Sequence, residues 1–295
     1  MLQAIQDLQS LIESALLAHL PQCRHPGAKP LDDALRYAVS SGGKRLRPIL
    51  TIMGARIFDA DPRRVLGAAC AVEFIHTSSL IFDDLPCMDD AEIRRGVPVL
   101  HNVYGEEVAL LAGIALLNQS YAIFGQVPAL IHEATQCIGV EGMIGGQALD
   151  LTPYDGDDEA LLKRSKNLAE RNRKTSAMMR LALIAGALAL GVPPEEAEPL
   201  GIAGQCLGQA YQIGDDLLDA RRSSHATGKT TGQDRRHGRP SHGLIDGNVC
   251  LEQVNVLVRQ AGQSLQSAYG TRSAELVAAV DAIFQAQLNA VSSVS

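Results

Sequence analysis

Long apolar runs are missing from this chain of 295 residues. The longest, Leu181–Val192 and Val108–Leu117, hold twelve and ten residues, against the roughly 18–20 that a membrane-spanning helix needs. No membrane span is therefore expected. Basic residues are in the minority, with 26 Lys and Arg against 33 Asp and Glu and a net charge of −7. That balance argues against a nucleic-acid binder, which wants a cationic face for phosphates. The six cysteines (Cys23, Cys70, Cys87, Cys137, Cys206 and Cys250) form no CxxC pair, so they read as reduced thiols of a cytoplasmic protein rather than a disulfide scaffold. The segment MLQAIQDLQSLIESALLAHL carries charge early and lacks the layout of a secretion signal. Tryptophan is absent and aromatic residues make up only 4%.

What is present is helical patterning. Leu2, Ile5, Leu8, Leu11, Ile12, Leu16 and Leu17 recur at three- and four-residue spacings, the signature of an amphipathic helix. The same period predicts helices over 31–39, 49–57, 63–82, 103–124, 128–150, 158–170, 175–190, 195–218, 249–267 and 273–291. No convincing period-2 strand, linker, repeat or low-complexity tract accompanies them. The expected fold is all-α: a single domain over 1–295, a bundle of ten or more mostly antiparallel helices around a central cavity.

Two connections depart from the short loops expected elsewhere. Residues 85–101 crowd opposite charges together, and residues 221–243 form a polar stretch with six Lys or Arg and one acid, Asp234. Loops this long in compact domains are commonly functional. The second suggests an anion-binding flap, with a solvated mobile loop as the plainer possibility.

Chemistry concentrates in three places. Asp83, Asp84, Asp89 and Asp90 follow an apolar helix, at its partially negative C-terminal end, where acids are disfavoured. Cations stabilise such an arrangement, and oxygen ligands on a divalent ion imply Mg2+, which keeps waters and bridges to substrate phosphates. A second group, Asp215, Asp216 and Asp219, ends another apolar helix, with Asp215 and Asp219 four apart on one face. Third, Gly42 and Gly43 precede Lys44, Arg45 and Arg47, glycines that let a backbone approach an anion closely. Arg94, Arg95 and Lys174 add further cations, and His76 lies seven residues before Asp83 on the same helical face. A P-loop reading of Gly228-Lys229-Thr230 fails, because Ser223 occupies the required glycine position.

Carboxylates cannot hold a diphosphate directly. At about 4 Å, like charges repel by about 4 kcal/mol at an effective dielectric near 20, and divalent ions between them reverse the sign. A metal-bound diphosphate becomes a leaving group. A diphosphate held by Lys and Arg stays intact as an anchor. That asymmetry fits one substrate that ionises and one that does not.

The segments FIHTSSLIFDDLPCMDDAEIRRGVPVLHNVYGE, SGGKRLRP, GMIGGQALDL, RKT and YQIGDDLLD…GKTTGQD resemble the trans-isoprenyl diphosphate synthases, in that family's order, over residues 42–241. Within the family the phrase DDLPCMDDAEIRRG is most similar to bacterial geranylgeranyl diphosphate synthases. The resemblance implies head-to-tail condensation of isopentenyl diphosphate with an allylic diphosphate (dimethylallyl, geranyl or farnesyl). It implies that Asp83 and Asp89, supported by Asp84, bind Mg2+ on the allylic diphosphate. Asp215 and Asp219, with Asp216 beside them, act from the other side, for three ions per site, with Mn2+ as a possible substitute. By the same resemblance Arg94, Lys174 and Lys229 contact the allylic diphosphate, Lys44, Arg47, His76 and Arg95 hold isopentenyl diphosphate, and Thr175 and Gln212 lie near the reacting carbons. A homodimer is implied.

Departures from the family pattern are Phe82 where many members have His, Ile114 where many have Asp, and Arg239-Pro-Ser241 for Lys-x-Thr/Ser. Arg239 keeps the charge but not the shape. Ser78, about one and a half turns below Asp83, stands beside Ser79 where short-chain members carry a bulky aromatic. Small residues there predict geranylgeranyl diphosphate, with farnesyl or longer products as alternatives and Leu110 or Ile114 as alternative floors. A class I terpene cyclase would lack the Lys44–Arg47 anchor and favour an aromatic pocket. A non-catalytic synthase subunit would lack one aspartate group.

Overall fold

The computed structural model describes residues 2–151, 173–221 and 247–292. The helix expected over 158–170 and the basic loop carrying Lys229 and Arg239 lie outside the described residues. Among the described residues twelve α-helices carry the fold, with one two-rung hairpin and short 3-10 turns. The architecture is all-α.

The described residues fall into two compact units. The first comprises residues 2–131 with Ala185–Val192. Its helices are α1 (Leu2–His19), α2 (Lys29–Ser40), α3 (Leu46–Arg56), α4 (Leu66–Asp84), α5 (Leu100–Tyr104) and α6 (Glu106–Phe124). Helix α4 is the axis, and α1, α2, α3, α5 and α6 all pack against it. Its sequence explains why. Ala68, Ala69 and Ala71 are small enough for neighbours to approach, and Val72, Phe74 and Ile75 are fully buried among them. Burying a side chain such as Phe74 stabilises the fold by about 2–3 kcal/mol. Two hydrogen bonds pin α4 to α6: Ser120 Oγ donates to the Ala71 carbonyl at 2.9 Å, and Ser78 Oγ to the Gly113 carbonyl at 2.9 Å.

Sequence periodicity joined 103–124 into one helix, but Gly105, at φ 86°, separates α5 from α6. A second difference is the hairpin. Strands β1 (Ile93–Arg94) and β2 (Val97–Pro98) pair antiparallel around Arg95 and Gly96, at φ 55° and 80°. Two consecutive positive φ values mark the turn type whose twist matches a hairpin.

The second unit holds the described residues of 132–184 and those from 193 onward. Here the single helix expected over 128–150 is two, α7 (Pro128–Ile138) and α8 (Met143–Leu151), parted at residues 139–142, which include Gly139 and Gly142. Helices α9 (Arg173–Ala189, whose end from Ala185 belongs to the first unit), α10 (Pro194–Arg221), α11 (Gly247–Tyr269) and α12 (Ala274–Ser292) complete it. Helix α10 lies against α9 along Gly201, Gly204 and Gly208. A Cβ on Gly208 would stand 2.5 Å from the Ser176 Cα.

The segments Pro62–Asp84 and Glu106–Phe124 are long and apolar enough, by length and composition, to cross a membrane. Most of the first is buried in the protein, whereas α6 leaves Leu110, Leu111 and Ile114 exposed.

Candidate active site

The first aspartate group sits where α4 ends. Asp83 and Asp84 are buried, at 9% and 4% exposure. The four residues between Asp84 and Asp89 fold the chain back over the helix end. The Asp89 amide donates to the Asp83 carbonyl at 3.0 Å, the Ala91 amide to the Asp84 carbonyl at 3.2 Å, and the Asp90 amide to the Leu85 carbonyl at 3.1 Å. The loop thus satisfies the helix's last carbonyls and returns Asp89 to the neighbourhood of Asp83.

Arg94, delivered by β1, neutralises Asp84. Its Nε donates to both carboxylate oxygens at 2.8 Å, and its Nη2 lies 2.6 Å from Oδ1. Burial pushes the Asp84 carboxyl up while Arg94 pulls it back, and the balance leaves it raised. Asp84 is therefore already paired.

The loop that starts α3 separates its three cations. Lys44 is exposed. Arg47 is half-buried, with Nη1 3.2 Å from His76 Nε2 on α4. Arg45 points inward and is only 2% exposed. Arg95 reaches the same loop, donating from Nη1 to the Gly42 carbonyl at 2.5 Å. Burial, reinforced by the charges of Arg45, Arg94 and Arg47, lowers its pKa. Ser78 is 1% exposed and tied to α6, and Ser79 Oγ turns back to the His76 carbonyl at 2.8 Å.

In the second unit a polar relay runs from α9 to α10. Thr175 Oγ1 donates to Gln212 Oε1 at 2.7 Å, and Gln212 Nε2 donates to Asp216 Oδ1 at 2.7 Å. The glycine approach at Gly208, one turn before Gln212, brings the helices near enough for this. Lys174 Nζ donates to Gln147 Oε1 of α8 at 2.7 Å, where a Cβ on Gly146 would meet the Lys174 backbone at 2.5 Å. Asp215 is half-buried and Asp216 is 4% exposed. Asp219 lies on α10.

The expected residues of 41–95 thus gather in one unit and those of 174–219 in the other. Sequence reasoning passed over Glu73, which pairs with Arg45. The only sign of it was an acid inside an apolar helix. Among the described residues no three His, Cys, Asp or Glu side chains form a metal cage of their own. Buried aspartates at a helix C-terminus, all oxygen donors, fit Mg2+ that keeps part of its shell for substrate phosphates.

One unit of this all-α chain thus holds a buried aspartate, Asp84, paired by Arg94, and a glycine-bounded loop carrying three cations. A family model for polyprenyl synthetase matches residues 28–285. The chain is 37% identical over 260 residues to geranylgeranyl pyrophosphate synthase 11 of Arabidopsis thaliana chloroplasts, covering 84% of this chain and 72% of that one. It is 34% identical over 287 residues to the Capsicum annuum chloroplast geranylgeranyl pyrophosphate synthase, covering 94% and 75%. Among solved structures it is similar to an FPP/GFPP synthase from Zymomonas mobilis, with a TM-score of 0.76, 29% identity and coverage of 96% and 98%. It also resembles a Helicobacter pylori geranyltransferase complexed with magnesium and isoprenyl diphosphate, with a TM-score of 0.75, 28% identity and coverage of 96% and 97%. The chain belongs to the polyprenyl synthetase family. It is a trans-prenyltransferase.

Proposed function

We propose that this prenyltransferase, which joins isopentenyl diphosphate to an allylic diphosphate, releases geranylgeranyl diphosphate. The observation that carries the reading is the buried pair Asp83 and Asp84 at the end of α4, with Arg94 clamped on Asp84 and Asp89 folded back beside them. The names of the curated relatives support the product, as does the small Ser78 one and a half turns below Asp83.

Asp83, Asp89, Asp215 and Asp219 are the residues that would hold Mg2+, three ions per site with Mn2+ able to substitute. Bound Mg2+ neutralises the charge gathering on the departing diphosphate. Arg94, Lys174 and Lys229 add cationic contacts to the same group, Arg94 while pairing Asp84. Lys44, Arg47, His76 and Arg95 anchor the isopentenyl diphosphate through its own diphosphate, which leaves its double bond free to react, and Arg239 is a further substrate-binding cation. The allylic C–O bond breaks with its electron pair leaving on the diphosphate, the isopentenyl π pair forms the new C–C bond, and a proton is lost to the released diphosphate. Thr175 and Gln212 present oxygens that favour a cationic carbon, and Asp216 stands beside Asp215 and Asp219.

The family match over 28–285 supports one catalytic domain over the whole chain. A cytoplasmic location is part of the same proposal, on six scattered cysteines with no CxxC pair. The exposed apolar residues of α6 (Leu110, Leu111 and Ile114) support a homodimer.

The test is turnover. Purified chain with Mg2+, isopentenyl diphosphate and dimethylallyl, geranyl or farnesyl diphosphate in turn should give geranylgeranyl diphosphate. Activity should vanish in excess chelator and return with Mg2+. Products no longer than farnesyl diphosphate would overturn the assignment of length, and turnover under chelation would overturn the metal.

A further inference from the structure

The loop carrying Lys44 and Arg47 is held in an unfavourable backbone conformation. Gly42 and Gly43 have φ of 84° and 124°, and Arg45 has φ 49° and ψ 33°. A non-glycine residue in the left-handed region persists only when its surroundings fix it there. For Arg45 the surroundings are specific. Its Nε donates to Glu13 Oε1 at 2.7 Å and its Nη2 to Glu13 Oε2 at 3.1 Å. Its Nη1 donates to Glu73 Oε1 at 2.8 Å and its Nη2 to the Val39 carbonyl at 2.5 Å. Burial works against the charge, but the bonds to the two glutamates outweigh it, so the guanidinium pKa lies above its ordinary value.

Glu73 serves more than one partner. It is 1% exposed on α4, and the Arg95 guanidinium lies 3.9 Å from its Oε1. The face of Arg95 covers Gly43 so closely that a Cβ there would stand 2.8 Å from Cζ. One turn further along α4 is His76, the partner of Arg47. From α1, Gln9 Nε2 donates to the Lys44 carbonyl at 3.2 Å, four residues before Glu13. The loop is thus gripped through its backbone by Arg95 and Gln9 and through Arg45 by Glu13 and Glu73. Its outward cation, Lys44, is left exposed.

We propose that Arg45 and Glu73 are positioning residues for the acceptor substrate. The buried Arg45–Glu73 pair, braced by Glu13, fixes the 42–47 backbone so that Lys44, Arg47 and Arg95 converge on one diphosphate. Neither residue touches that diphosphate. Of the loop's three cations, Arg45 is the one turned inward, at 2% exposure, onto two glutamates. The role rests on the reading that these cations hold isopentenyl diphosphate.

The role makes a split prediction. Glu73→Gln, nearly isosteric, leaves Arg45 and Arg95 charged without their shared counter-ion. In the Mg2+-loaded full chain it should raise the KM for isopentenyl diphosphate at least tenfold, leaving the KM for the allylic substrate within twofold and kcat within threefold. Glu13→Gln should move the same KM about threefold and threatens folding less, because the Glu13 side chain is 46% exposed. Glu198→Gln, in the other unit, is the control: it should cost melting temperature without separating the two KM values. If Glu73→Gln does not fold, Glu13→Gln decides. Folded variants whose two KM values stay put, or rise together, would overturn the assignment while the wild-type reaction stands. A wild-type chain that consumes no isopentenyl diphosphate with any primer would remove the parent reading and this one with it.

Discussion

Arg94 holds Asp84 through three contacts, two of 2.8 Å from Nε and one of 2.6 Å from Nη2. Asp84 is 4% exposed, so removing Arg94 strands its charge away from water, and removing Asp84 leaves a partly exposed Arg94 without its partner. Losing one member of a buried, hydrogen-bonded charge pair costs on the order of 2–5 kcal/mol. Arg94→Ala and Asp84→Asn should each lower kcat/KM for the allylic substrate by about 10- to 1000-fold. Steady-state rates against allylic diphosphate concentration measure it, and a change under threefold would show the pair to be dispensable.

A tyrosine at Ser78 must displace the bond to the Gly113 carbonyl and intrude between α4 and α6. Ser78→Tyr should shift the product from geranylgeranyl towards farnesyl diphosphate and lower stability. Sizing the products by chromatography reads the first effect. An unchanged product spectrum would overturn Ser78 as the floor.

Gly113 also faces Phe82, whose ring would stand 2.5 Å from an added Cβ. Phe82 is the residue beside Asp83, so Gly113→Ala pushes on the aspartate end of α4. Overpacking of this kind costs about 1–3 kcal/mol. The melting temperature should fall by several degrees and kcat should fall with it. A variant as stable and as fast as wild type would show that the ring moves freely.

The relay from Thr175 to Gln212 to Asp216 predicts that Thr175→Val loses rate rather than affinity. A half-buried Gln212 oxygen left without its donor costs up to about 1–3 kcal/mol. Values of kcat should fall about tenfold or more at nearly constant KM, which single-turnover kinetics can resolve.

Acid stability has its own source. Arg180 donates to Glu198 at 2.8 and 2.7 Å and to Glu133 at 2.6 and 3.2 Å. Its hydrogen bond holds the Glu198 carboxyl below the ordinary 4.5. A depressed carboxylate stabilises the fold above its unfolded pKa, and that contribution is lost as pH falls through the folded value. Melting temperature should therefore drop below about pH 4.5, and Glu198→Gln should flatten that limb while lowering the plateau at neutral pH.

The helical architecture was readable because apolar residues recur every three or four positions along nearly every element. The aspartate groups were readable because acids at the end of an apolar helix contradict local electrostatics. Other features depend on a few residues whose geometry no period reveals. Each strand of the 93–98 hairpin has two residues, too few for alternation. Gly139 and Gly142 sit inside an apolar run, and only the fold shows that the helix parts there. Lys44, Arg45 and Arg47 read as one cationic cluster, and the left-handed turn at Arg45 is what sends one of them inward. Ser78 was legible as small, but its bond to α6 requires knowing which helix lies alongside.

The hairpin's tight turn has an evolutionary corollary. Arg94 and Arg95 are consecutive, yet one is committed to Asp84 and the other to Gly42 and Glu73. Inserting or deleting a single residue there would misalign both partnerships at once. Variation at this locus should therefore proceed by exchange of side chains at fixed length.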